Sequence, residues 1–137
     1  MDWAAELAEA CQAQADRIHQ IHNESAILVT RELHTRTPVD TTNAQNSWYL
    51  SPGHETYVQF NGRAVGRDPM AEARAVLANN KAPEIYITNS EHYIQKLEWG
   101  LPGGSSQAPA GFMHQTVAAW PAIVTYCAQR FKAKGWT

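Results

Sequence analysis

The chain is predicted to be α+β: a small antiparallel β-sheet packed by a long N-terminal helix and a long C-terminal helix, with short helices between the strands. Three observations predict this. Both ends of the chain carry apolar residues at helical spacing over long stretches. The middle holds short β-branched and aromatic runs at 48–50, 56–60 and 84–88, of which Glu84-Ile-Tyr-Ile-Thr88 is the best strand. Turn signals separate these runs: Ser51-Pro-Gly-His54, and Asn61-Gly62. A chain of 137 residues fits one domain with a single core. Its expected divisions are a long helix over 1–36, sheet and short helices over 37–100, a flexible loop over 101–108 and a helix over 109–134.

The first helix has consistent grammar. Asp2 can cap it, Glu6 and Glu9 lie near its positive end, and Arg31, His34 and Arg36 near its negative end. Its stripe is Trp3, Leu7, Cys11, Ile18, Ile21, Leu28 and Leu33. At ~1.5 Å per residue it spans roughly 50 Å, more than a domain of this size can cover with its own core. Gln12, Gln14, Asp16, Gln20 and Asn23 make its first half weak core material. Part of the helix is therefore expected to project or to pack on a neighbouring subunit.

Pro38 biases Thr37 away from helical angles and ends the helix. Asp40, Thr41 and Thr42 form a turn and cap cluster, followed by one helical turn over 44–47. Asp68-Pro69 opens a helix carrying Met70, Ala73, Val76 and Leu77, with its end near Asn79-Asn80. Asn89-Ser90 caps a short amphipathic helix on which Tyr93, Ile94, Leu97 and Trp99 share a face, and Gly100 is placed to stop it. Pro102-Gly-Gly-Ser-Ser106 has too little apolar surface to settle in one conformation. The last helix opens at Pro109 and carries Phe112, Met113, Val117, Trp120, Ile123, Val124, Cys127 and Phe131 on one face. Pro121 is expected to kink or interrupt it.

The net charge of −2 gives no basic footprint for gripping duplex nucleic acid. No apolar run approaches the ~18 residues of a membrane span, and the acidic N-terminus is wrong for a signal peptide. Cys11 and Cys127 read as two reduced thiols in a cytoplasmic setting, or as a bridge between the terminal helices. No cofactor or metal is expected. His19 and His22, one turn apart, lack a convincing third ligand and read as a solvated polar face. Asp40 and Glu98 could pair as catalytic carboxylates, but read better as a turn cap and a helix-end anchor. Ser47, Ser51 and His54 lack a Gly-x-Ser-x-Gly frame. Trp48, Trp99 and Trp120 read as core or interface anchors, and Trp3 and Trp136 as interface residues where exposed. Arg63, Arg67 and Arg74 could line a DNA channel or stand on a solvated turn. The uncharged loop between the last two helices reads as a contact loop for another chain. The expected interface is Trp3, Leu7, Trp99, Gly100, Leu101, Pro102, Gly103, Gly104, Ala108, Pro109 and Phe112.

Three segments, in order, resemble one family. Thr37-Pro-Val-Asp-Thr-Thr-Asn-Ala-Gln-Asn-Ser-Trp48 resembles a Thr-Pro-Val-Asp-Thr-Gly motif followed by Ser/Asn-Trp. Tyr93 through Leu97-Glu-Trp-Gly100 resembles a Tyr-Ala, spacer, Leu-Glu-Tyr-Gly motif. Gln107-Ala-Pro-Ala-Gly-Phe112 resembles the Ala-Pro-Ala-Gly opening of a final helix. Together they are similar to the tail-completion (neck, head–tail joining) proteins of long-tailed bacteriophages, over residues 10–130. Thr42 departs from the family's glycine, and the stretches 69–79 and 100–107 show no match. Pro38, Asp40, Trp48, Tyr93 and Glu98 are the motif residues. The resemblance implies a non-enzymatic virion protein, assembled in the bacterial host cytoplasm as a ring of six copies. Its partners would be the portal-side connector and the tail tube or tail terminator, with genomic DNA passing through the lumen without sequence recognition. A tail terminator capping the tube is the nearest alternative. A small cytoplasmic hydrolase using Asp40, His54 and Glu98 is the alternative from another class.

Overall fold

A computed structural model describes residues 2–37, 42–91, 94–99 and 111–133. The elements run α1 (Trp3–Arg36), α2 (Thr42–Asn46), β1 (Trp48–Pro52), α3 (Pro69–Leu77), β2 (Ile85–Asn89), α4 (Ile94–Trp99) and α5 (Phe112–Ala133). The fold is α+β, with a two-stranded antiparallel sheet packed against the two long helices.

The Asp2 carboxylate caps α1 by accepting from the N–H groups of Ala4 and Ala5 at 3.1 and 3.3 Å. At the other end Thr37 is extended (ψ 129°), as a residue before proline prefers. The buried residues of α1 all lie between Ser25 and Leu33, whereas residues 2–14 are exposed throughout. One continuous helix is thus half anchor and half projection. The anchored half is tied to α3 by two asparagines. Asn23 Nδ2 donates to the Asn80 carbonyl at 2.9 Å, and Asn80 Nδ2 donates to Asn23 Oδ1 at 3.0 Å.

Strand register pairs Trp48 with Asn89, Leu50 with Ile87 and Pro52 with Ile85. The inner face therefore carries Trp48, Leu50, Ile85 and Ile87. Leu50 packs with Ala26 and Ile27 of α1 and with Ala73 and Leu77 of α3. Trp48 packs with Leu33, Ala44 and Phe112, and Ile87 touches both groups. Phe112 meets Trp48 edge to face, with ring centroids 6.3 Å apart. The Trp48 indole N–H donates to Thr37 Oγ1 at 2.8 Å, and the Thr37 hydroxyl donates in turn to the Leu33 carbonyl. Thr37 and Trp48, the first and last residues of the Thr-Pro-Val-Asp segment, are thus joined through a buried hydrogen bond.

Four expectations need correction. Residues 56–60 do not pair as a strand. Their alternation is real, since Thr56, Val58 and Phe60 are half-buried while Tyr57 and Gln59 are exposed. It serves a strap over the sheet's outer face, where the Thr88 hydroxyl donates to the Thr56 carbonyl at 2.6 Å. The last helix, expected to open at Pro109, which lies outside the described residues, is described from Phe112 and is not continuous through Gly111, whose φ of +89° is outside helical space and open to glycine. α5 is also not interrupted at Pro121. Proline removes the hydrogen bond to the Val117 carbonyl, but Val117 faces solvent and water can replace that bond. Finally Phe112, expected at an interface, is 1% exposed and belongs to the core.

Arg67 locks the outer face. Its guanidinium lies 3.9 Å from the Phe60 ring centroid, donates to the Asn46 carbonyl at 2.5 Å and forks onto Glu72 at 2.8 and 2.9 Å. Replacing Arg67 with alanine should lower the unfolding free energy by about 2 kcal/mol, as a half-buried, charge-assisted cluster is lost. Lysine should recover only part of this, having neither the planar fork nor the stacking face. An unchanged urea midpoint in the alanine variant would refute that role.

Candidate interaction surface

The α4–α5 junction is built around Glu98, whose side chain is 4% exposed. Its carboxylate accepts from the N–H groups of Met113 at 2.7 Å and His114 at 3.3 Å, and also meets His114 Nδ1. Its carbonyl accepts from Gly111 N–H at 2.8 Å. Glu98 is a helix-end anchor, though for α5 rather than for its own helix. A carboxylate suits this place, because the first turn of a helix presents unpaired N–H groups and a partial positive charge. Trp99 then points outward, 62% exposed, and touches His114 edge to face at 5.0 Å.

Two grooves flank α5. On the sheet side Val29, Leu33, Trp48, Ile85, Ile87, Met113, Val117 and Trp120 line an apolar depression of about 330 Å³. On the other side a depression of about 280 Å³ runs between α1 and α5, over Leu28, Ala119, Ala122, Ile123 and Tyr126, with Arg31, Glu32 and Arg36 along it. The sequence spacing places the apolar positions of α5 on one face. They divide: Phe112 and Cys127 are buried, while Met113, Val117 and Trp120 open to solvent. The breadth of the apolar pattern was the signal in the sequence, because a helix packed on one side needs only one stripe.

The projecting half of α1 is a third apolar surface. Trp3 is 73% exposed and Leu7 54%. Exposed apolar residues occur on every protein, but a row of them on a protruding helix marks a contact face.

The remaining candidate residues fall as follows. Pro38, Asp40, Tyr93, Gly100, Leu101, Pro102, Gly103, Gly104, Ala108 and Pro109 lie outside the described residues. His54 is exposed, and its carbonyl accepts from Ser51 Oγ at 2.8 Å. Arg67 is committed to the fold, and Arg74 reaches Glu24 at 3.4 Å, which leaves Arg63 as the exposed arginine of that trio without an ion pair among the described residues. Burial, and secondarily the neighbouring His19, holds the His22 pKa below its usual value. Among the described residues no three His, Cys, Asp or Glu side chains gather as a metal-binding group. Cys11 is exposed and Cys127 buried, and both are free thiols. No helix of the described residues is long and apolar enough to cross a membrane.

Comparison with protein-family models, curated proteins and solved structures finds no match to this chain. Fold and surface together define a class: a small α+β protein with a projecting amphipathic helix and unpartnered apolar grooves along its C-terminal helix.

Proposed function

We propose that the protein is a non-enzymatic structural subunit of a bacteriophage virion, a neck (tail-completion) component that assembles as a ring of six copies between the portal-side connector and the tail tube. The observation that carries this reading is the exposed first part of α1, residues 2–14, where Trp3 and Leu7 stand 73% and 54% exposed. A lone chain gains nothing from holding these side chains in water, whereas assembly buries them. The three motif segments in order support the neck assignment. The engagement of the Glu98 carboxylate by α5 supports a structural role for that residue over a catalytic one. A near-neutral chain suits a lumen that lets DNA pass without binding it.

Light scattering of the purified full chain over a range of concentrations tests the reading, with electron microscopy of the assembled fraction. Closed rings of six are expected. A chain that stays monomeric at every concentration overturns it. Microscopy of the intact virion then separates a neck position, at the connector, from a terminator position at the end of the tube.

A further inference from the structure

We infer that the projecting half of α1 in one copy docks into the groove between α1 and α5 of the next copy, apolar stripe inward and acidic flank against arginines. This rests on the ring reading and specifies the contact that closes it.

The donor is residues 2–14, exposed throughout. Trp3, Leu7 and Cys11 recur every fourth residue and form one stripe. Asp2, Glu6 and Glu9 sit one or two positions behind them, so a line of carboxylates runs along one flank. From residue 2 to residue 16 there are four carboxylates and no Lys or Arg. The acceptor has the opposite character. Its floor includes Ala119, Ala122, Ile123 and Tyr126, and two alanines allow a helix to approach closely. Arg31 and Arg36 stand along it. Arg36 is held by Glu32 and Gln115, while Arg31 is exposed and forms no ion pair among the described residues. Beside the floor residue Tyr126, the Arg130 guanidinium lies 5.6 Å from the ring centroid and pairs with Glu24 at 3.5 Å. Charge therefore matches an acidic helix to this groove, not to the uncharged one on the sheet side.

A copy cannot fill its own groove. Donor and acceptor share one continuous helix, and the middle of the donor lies roughly 35 Å along the axis from Arg31. The contact is therefore head to tail, which generates a ring when the rotation closes.

Two double variants at exposed positions test this: Trp3→Glu with Leu7→Glu in the donor, and Arg31→Glu with Ala122→Glu in the acceptor. Circular dichroism and urea midpoints confirm that each folds as the parent does. Each alone should remain monomeric where the parent assembles, with association weakened at least about tenfold. Mixed in equal amounts they should form one-to-one dimers, since each pair keeps one intact donor and one intact acceptor. Val117→Glu, in the sheet-side groove, should assemble like the parent. If the donor variant assembles normally, rings form through another surface: this inference fails and the ring reading survives. A mixture that stays monomeric, or loss of assembly with Val117→Glu, also overturns it. A parent that is monomeric at all concentrations defeats both.

Discussion

Trp48→Ala is expected to lower the unfolding free energy by about 3–5 kcal/mol, the range for removing a large buried aromatic side chain. Trp48 is 2% exposed and meets α1, α2 and α5 in one cluster. Truncation leaves a cavity between sheet and helices, strips Phe112 of its edge-to-face partner and removes the donor to Thr37 Oγ1. The total stability of a domain is about 5–15 kcal/mol, so the variant should lie near the edge of folding at room temperature. Urea unfolding followed by far-ultraviolet circular dichroism measures the loss. Trp48→Phe divides it, because phenylalanine keeps most of the packing and forfeits the hydrogen bond. A loss in Trp48→Ala below about 1 kcal/mol would show that the site collapses without penalty, contrary to a packed core.

Glu98→Ala should cost about 3 kcal/mol, because it removes a charge-assisted acceptor and leaves two N–H groups of α5 without a protein partner. Glu98→Gln, with one carbonyl oxygen and no charge, should fall between the parent and Glu98→Ala. Hydrogen exchange gives the more specific readout. The amides of Met113 and His114 should lose protection first, while those of residues 25–33 in α1 follow the global stability. Equal loss of protection across the chain would mean that Glu98 does not anchor α5 locally.

Much of the architecture is legible in the residues because it depends on local rules. The caps at Asp2 and Asp68, the turn at Asn61-Gly62 and the strand at 85–89 all follow from neighbours within a few positions. The excess length of α1 is equally legible, since about 1.5 Å per residue can be set against the size of the domain. Residues 56–60 are ambiguous for a reason of the same kind. A period of two follows equally from a paired strand and from an extended strap that covers a sheet face, and hydrogen bonding alone separates them.

By itself the sequence determined the α+β class, the two long helices and the over-extended, half-polar first helix, because periodicity and capping are properties of consecutive residues. Only the tertiary structure decided which apolar residues are spent on the core. Phe112 went inward against Trp48, while Met113, Val117 and Trp120 on the same helix stayed open. It also decided that Glu98 would serve the helix that follows it, and that Arg67 would hold a sheet face rather than face a channel. The physical reason is that burial and pairing depend on what lies opposite a side chain, and that neighbour comes from a distant part of the chain.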